Sequence, residues 1–595
     1  MKRRFMKVVS ALLAGSMLLL AGCSEAELAE AEQMLNERID ERIASGGYET
    51  KVEEHTHQVE KKTTTLYFGD AEDVNEYELA FMDGAEDIPY VSVDVFRDMY
   101  VMLLTGLGHP AADLTIEKDG ETVTMTRESG YPMVIDFAED TLTFMDYDAF
   151  LKEEEAQPLM DVITVTGFND AGEPEYFSLN DTSYERYGDM VTLRPGEYGI
   201  DLISQDGEYY LPLQLVSDII FSQYSCNTLY NGECVCLVGG GLIEPLEDQY
   251  YIEDAPKERS DALIDFNYKE LCFAMDALYG LKEEHRITDF DLLFKETGLI
   301  VPMMSKDPQV AGQALADLMF IYFDDKHSGM TNRSYMMEEE ITRNPGPTSL
   351  QSLDEKVRYT EAREKFYPDG FVPYEEVGNT AYITFDDFVY ADIDYYGGEK
   401  PEDYIAADTV GLMLYAYDQI TREDSPVENV VLDLSNNGGG MADAAAFVIG
   451  AFLGDGSITM MNPLSGALVS ENFKVDLNLD RQFDEKDSLK DYNLFCLISD
   501  RSFSCGNLVP SVFKNSRRVT LIGQQSGGGA CVVHHMTSAD GCLFQMSGMK
   551  HLAYMKNGSF YDIDQGAEPD FFITNPALLF DREYMTGYVN ELMGK

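Results

Sequence analysis

The chain has 595 residues, 45% of them hydrophobic and 11% aromatic, with a formal net charge of −64. That length exceeds what one hydrophobic core organises, so several domains are expected, and the apolar content excludes a disordered chain. The acidic excess excludes nucleic acid as a partner, because phosphate backbones are neutralised by Lys and Arg; its plain use is solubility.

The chain opens as a targeting signal. "MKRRFMK" is a basic segment, "VVSALLAGSMLLLAG" an apolar one, and "LAGCS" follows. Small residues before Cys23 resemble the bacterial lipobox. The resemblance implies that residues 1–23 are a lipoprotein signal peptide and that Cys23 carries the lipid. The chain would then be held on the extracytoplasmic face of the cell membrane by that lipid; the plain alternative is a cleaved signal or a short anchor helix. No later run reaches the ~18 apolar residues that span a bilayer. Residues 24–59, beginning "SEAELAEAEQMLNERIDERIASGG", read as an acidic, solvated stalk.

Residues 60–255 read as β-rich, with short alternating segments broken by Gly, Asp and Asn. Two stretches resemble each other, "DIPYVSVDVFRDMYVMLL" and "GEYYLPLQLVSDIIFSQY", each a strand followed by an amphipathic helix. They are similar to the repeat domain named from copper amine oxidase N-termini, which implies contact with the cell envelope or a spacer role. Cys226, Cys234, Cys236, Cys272, Cys496, Cys505, Cys531 and Cys542 match no zinc spacing. No metal and no organic cofactor is read from the sequence. Export permits disulfides, but spacing does not fix a pairing.

From 262 to 345 the pattern turns helical, with apolar residues three and four apart in "DALIDFNYKELCFAMDALYGLKEEH" and "VAGQALADLMFIYFDDKHSGM". "NPGPTSLQ" punctuates the chain, and a polar helix is predicted over 352–366. Strands then alternate with helices: "TAYITFDDF", "TVGLMLYAYDQITRE", "VENVVLDLSNN", "MADAAAFVIGAFLG", "YNLFCLISD", "GNLVPSVFKNS" and "RVTLIGQQ". That order predicts a parallel or mixed sheet with crossover helices over 370–580, closed by a β-rich piece. The fold class is multidomain α/β (α+β).

In such sheets ligands lie beyond the carboxyl ends of the strands. Two ends carry chemistry. In "VVLDLSNNGGGMADAAAF" the glycines bring backbone N–H groups close to a ligand, as half of an oxyanion hole would need; a phosphate loop or a tight turn is the alternative. In "NLFCLISDRSFSCGNLVPSVFKNS" a strand-to-helix turn offers Ser502, Ser504 and Cys505 as nucleophiles.

"LDLSNNGGG", "SDRSFSCGN" and "RRVTLIGQQSGGG", with "DDKHSG" before them and "GAEPD" after, resemble in order the motifs of the carboxyl-terminal processing peptidases (tail-specific proteases), relatives of tricorn protease. The resemblance covers roughly residues 262–580 and implies a crotonase-like α/β core and a peptide or protein substrate. Position by position it assigns the nucleophile to Ser504 rather than Ser502, and the oxyanion donors to the N–H groups of Cys505 and Gly439. Cys505 as nucleophile is the alternative. Many members carry a catalytic lysine in the glycine turn; "GQQSGGGA" has none, and Lys514 and Lys550 match no such position. The tricorn branch uses a histidine where His327 stands, which suits a general base. His534 and His535 compete for that role. Asp564 is the expected acidic member, with Asp562 and Glu568 as alternatives and Ser328 in an assisting role. Asn507 stands where lysine-type members have glutamate. Residues 331–375 are too few for the PDZ domain that members often carry. The sequence therefore predicts an exported, membrane-tethered serine endopeptidase, with an inactive peptide- or envelope-binding lipoprotein as the rival.

Overall fold

The structure is a computed structural model that describes residues 57–68, 74–106, 114–127, 130–151, 167–168, 174–391 and 393–594. The signal segment, Cys23 and nearly all of the expected stalk lie outside the described residues. Among the described residues no helix is long and apolar enough to cross a membrane. The fold is multidomain α/β, as the alternation of elements predicts, and it divides into two compact units.

The first unit comprises the described residues of 57–151, with 188–347 and 533–549, so that most of the described part of 60–255 and all of 262–345, expected as separate domains, form one body. Its larger sheet runs in the order Ile203–Gln205, Glu208–Pro212, Ala85–Ser92, Val74–Met82, Val59–Phe68, Cys234–Val238 and Asn227–Tyr230. The two similar stretches become neighbours in it. Strand Ala85–Ser92 enters helix Val93–Gly106, strand Glu208–Pro212 enters helix Leu213–Ile219, and the two strands pair antiparallel with Leu211 opposite Val91. Val93, Phe96, Tyr100, Leu103 and Leu104 recur at helical spacing and are all buried. The rings of Phe96, Tyr100 and Phe221 pack with centroids 6.0–6.2 Å apart.

Helices Asp261–Leu278, Phe290–Thr297 and Pro308–Asp317 start where Ser260, Asp289 and Asp307 accept a backbone N–H of the first turn. One interior contact of the first of these helices makes this unit sensitive to pH. Asp218, on helix Leu213–Ile219, and Glu270 are both fully buried. Burial pushes Asp218 up to about 7; burial and the adjacent Asp218 carboxylate push Glu270 well above the ordinary carboxylate range. Two such groups are stable side by side when they share a proton. An unfolded carboxyl titrates near ~4, so the folded chain binds the extra proton between there and about 7. This contribution to stability is complete at the acid end and is lost as pH rises through that interval. Urea unfolding midpoints of the wild type are expected to fall from pH 4 to pH 7 relative to those of Asp218→Asn/Glu270→Gln; parallel curves would refute the shared proton.

The second unit comprises the described residues of 167–187, 348–532 and 550–594. Its main sheet has the order Tyr374–Val377, Thr380–Thr384, Asn429–Asp433, Asn493–Ile498, Val519–Gly523 and Phe571–Phe572, parallel after the first hairpin. Both faces are covered, which is why these strands read as unbroken apolar runs. Ala381, Ile383, Val430, Leu432, Leu494, Cys496 and Ile498 face one core with helices Thr409–Thr421, Ala442–Leu453 and Cys505–Ser516. Tyr382, Val431, Phe495, Leu497 and Ile522 face the other, against Tyr359, Leu579, Phe580, Met585 and Val589. Arg582 anchors this second face. It is buried, donates to Thr384 Oγ1 at 2.9 Å, and pairs with Asp433 at 2.9 Å and with Glu375 at 3.0 Å.

A smaller antiparallel sheet in this unit pairs Phe177–Arg186 with Ala467–Val475, Gly456–Asn462 and the later part of Leu543–Lys556. Two departures from expectation meet here. Residues 177–186, expected within the β-rich region 60–255, pair with residues 468–475. The hairpin of Gly456–Asn462 and Ala467–Val475 interrupts what the sequence suggested was a direct helix-to-strand connection.

Candidate active site

Strand Asn493–Ile498 ends beside strand Asn429–Asp433, and the loops leaving both ends are tied together. Ser499 Oγ donates to Ser435 O at 2.6 Å, Ser502 Oγ donates to Leu434 O at 2.7 Å, and Phe503 N–H donates to Asn437 O at 3.2 Å. Ser502 is fully buried and serves as a brace. The loop then delivers Ser504, half-buried, at φ 55° and ψ −122° immediately before helix Cys505–Ser516. A non-glycine residue held at positive φ carries a cost of order 1–3 kcal/mol that the surroundings must sustain. The restraint is visible: Ser504 N–H donates to Gly528 O at 2.9 Å.

The amides of Gly506, Asn507 and Leu508 are taken by Phe503 O and Ser504 O at 2.8 Å. Cys505 N–H is the first of the helix, at its positive end. The glycine loop packs directly on this turn. A Cβ at Gly439, whose φ is +109°, would lie 2.7 Å from Ser504 Cβ and 3.3 Å from Cys505 N. Gly439 N–H, expected to face the oxyanion, instead donates to Asn437 Oδ1 at 2.9 Å. Its contribution here is the missing side chain. The bridge between Phe388 and the loop uses Gly439 C=O and Met441 N–H and passes over Gly440 N–H.

The Cys505 thiol is buried, bonds Gly440 O at 3.1 Å and is pushed up to about 12 by burial, so it is protonated at neutral pH and faces away from nucleophilic work. Asn507 is a strut. Its Nδ2 donates to Ile563 O at 2.9 Å while its Oδ1 accepts from Ser526 Oγ at 2.7 Å. Asp564 Oδ1 accepts Ala530 N–H at 3.1 Å, which holds the glycine turn 527–529 in place. Glu568 is exposed. Lys514 pairs with Asp570. Within its own unit no described side chain hydrogen-bonds Ser504 Oγ.

His327 belongs to the first unit, where its turn is built around Asp325. Asp325 Oδ1 accepts the N–H groups of His327 at 3.0 Å and Ser328 at 2.7 Å and the Ser547 hydroxyl at 3.1 Å. Its Oδ2 accepts the hydroxyls of Ser328 at 2.8 Å and Tyr279 at 2.9 Å. Gln545 Nε2 donates to His327 O at 2.7 Å. The preceding turn, Leu318–Phe323, is π-helical and ends at Asp324 with φ 44°; such wide turns re-aim the residues that follow. Asp325 stands in the quoted "DDKHSG" with no role assigned from the sequence; its signal is an Asp two residues before the histidine, the spacing of a side-chain-to-backbone turn. Of the competing histidines, His535 packs over Gly240 and its pKa is lowered by burial.

Another group that sequence reasoning missed lies in the second unit, where Cys531 Sγ and His551 Nε2 are 3.5 Å apart and His551 Nδ1 is 3.8 Å from Asp562 Oδ2. Among the described residues one acidic trio, Asp476, Asp480 and Asp487, brings ligand oxygens within 4.8 Å of one another. Their carboxylates are occupied by amides of their own loop, including Arg481 N–H at 2.6 Å and Leu477 N–H at 3.1 Å.

Residues 379–573 match the model of peptidase family S41. No curated protein matches the chain. Among solved structures the chain is similar to the photosystem II D1 C-terminal processing protease, at 17% identity over 34% of this chain and 45% of that one, TM-score 0.26. It is also similar to mature CPAF complexed with lactacystin, at 12% identity over 56% of this chain and 97% of that one, TM-score 0.36. A lipoprotein from Streptococcus agalactiae is similar at 15% identity, over 48% of this chain and 84% of that one, TM-score 0.30. The chain spans less than half the length of the first of these.

Proposed function

We propose that the protein, whose residues 379–573 match the model of peptidase family S41, is a serine endopeptidase, exported and held at the membrane by lipid on Cys23. Ser504 Oγ attacks the scissile carbonyl. His327 takes its proton and returns it to the leaving amine, which leaves an acyl-enzyme that water hydrolyses. Cys505 N–H and an amide of the glycine loop receive the charge that develops on the carbonyl oxygen. Because Gly439 N–H is engaged by Asn437 Oδ1, Gly440 N–H is the loop donor this scheme favours. Asp564 holds the glycine turn. The single observation that carries the reading is Ser504 itself, strained at positive φ on a helix N-terminus with a glycine backbone pressed against it.

The second reading is a relative that binds peptides without cleaving them, favoured by Asn507, whose side chain is committed to bracing. A fluorophosphonate probe separates the two. Labelling of the full chain that disappears in Ser504→Ala supports the peptidase; a folded wild type that takes no label supports the binder.

A further inference from the structure

Eight cysteines besides Cys23 are free thiols and all are buried. Burial raises the thiols of Cys226, Cys272, Cys496, Cys505 and Cys542, so these stay protonated and inert. Cys234 and Cys236 lie two apart on one face of their strand, and the neighbouring Cys236 sulfur lowers the Cys234 thiol. Cys531 sits in different company. Its Sγ is 3.5 Å from His551 Nε2, and on the far side of that ring Asp562 Oδ2 is 3.8 Å from Nδ1. The His551 ring beside Asp562 holds that carboxyl below its ordinary range, the mark of a carboxylate that favours a charged imidazole. Thiol, imidazole and carboxylate in line is the arrangement that converts a thiol to thiolate. The reading of the serine site uses none of the three.

From this line of groups we infer that Cys531 is a second reactive centre, a thiolate that small hydroperoxides oxidise to sulfenic acid. The sulfur attacks one peroxide oxygen and the O–O bond breaks. Sulfur is oxidised by two electrons, the peroxide is reduced, and the departing hydroxide takes the proton held by His551, leaving water and a neutral ring. Cys531 and His551 are each only 4% exposed, so the oxidant this centre takes is a small one. The oxygen added there has consequences for Ser504. Cys531 follows Ala530, whose N–H is held by Asp564 and whose C=O accepts Leu552 N–H at 2.8 Å. That segment continues the glycine turn whose Gly528 C=O fixes Ser504 N–H. Oxidation of Cys531 therefore loosens the nucleophile's support from behind.

The test is to expose the full chain to hydrogen peroxide across pH 5 to 9, quench timed samples into denaturant containing dimedone so that a buried sulfenic acid is reached, and locate the adduct by mass spectrometry. Trapping is expected at Cys531 at least about tenfold faster than at any other cysteine, and it is expected to collapse in His551→Gln. Asp562→Asn should move the pH midpoint of trapping upward. Labelling that favours Cys234 or Cys236, or a Cys531 rate unchanged in His551→Gln, overturns the inference. The adduct is read without turnover, so it stands or falls apart from the peptidase reading. Where peptide hydrolysis is measured, Cys531→Ala is expected to keep its activity after peroxide while the wild type loses it.

Discussion

The double variant Ser504→Ala/His327→Ala is expected to be no slower than either single variant, each of which should lower kcat by roughly a factor of 10⁶. A nucleophile and the base that deprotonates it act as one device, so removing the second partner from a device already disabled costs nothing more. The two residues are 177 positions apart in the sequence and belong to different compact units, which makes non-additivity a stringent criterion. Two residues that merely stabilised their own units would give losses that multiply. Circular dichroism of each variant should match the wild type, since the Ser504 hydroxyl has no hydrogen-bond partner among the described side chains of its unit and the His327 turn is held through its backbone by Asp325 and Gln545. Multiplicative losses would separate His327 from Ser504 chemistry and leave the nucleophile without its assigned base.

Much of the second unit was legible because its strands and helices are local patterns. Asn429–Asp433, Asn493–Ile498 and Val519–Gly523 are apolar runs that end in polar turns, and each is followed by the punctuation that brings chemistry to a strand end. The choice of Ser504 over Ser502 needed the resemblance, and the physical distinction between them lies in burial: Ser502 is sealed in as a brace. What was not legible is non-local. The alternation in Phe177–Arg186 is the same whether the strand joins its own neighbours or pairs, as it does, with Ala467–Val475 almost three hundred positions away. Likewise, the periodicity of "LADLMFIYF" cannot distinguish an α-helix from one that widens to a π-turn over Leu318–Phe323, because the apolar positions are the same. Nor does spacing show that Asn437, the second asparagine of "SNNGGG", takes Gly439 N–H. A side chain that caps a loop amide leaves no periodic trace.

Gly439→Ala is expected to lower kcat by about 10²–10³, the loss typical of a disturbed oxyanion site, while leaving the chain folded. The new methyl would sit 2.7 Å from Ser504 Cβ and 2.9 Å from Phe503 O, and both belong to the turn whose φ of 55° aims the Ser504 hydroxyl. Either the serine swings away or the glycine loop retreats from Cys505 N–H, and each outcome separates the hydroxyl from the amide that must act with it. Strain at the glycine's own backbone, with φ +109°, adds a stability cost of about 1–2 kcal/mol that could be mistaken for the cause. Gly558→Ala is the control that divides the two effects. Its φ is +80° and a Cβ there meets nothing within 4 Å, so it pays a comparable backbone cost without touching the site. The thermal midpoint of Gly558→Ala should therefore fall by the backbone cost alone and that of Gly439→Ala by that cost plus the clash, while only Gly439→Ala loses turnover and reacts more slowly with fluorophosphonate. Equal losses of activity would mean that backbone strain alone governs the loop, and that the close approach of Gly439 to Ser504 plays no part in placing the hydroxyl.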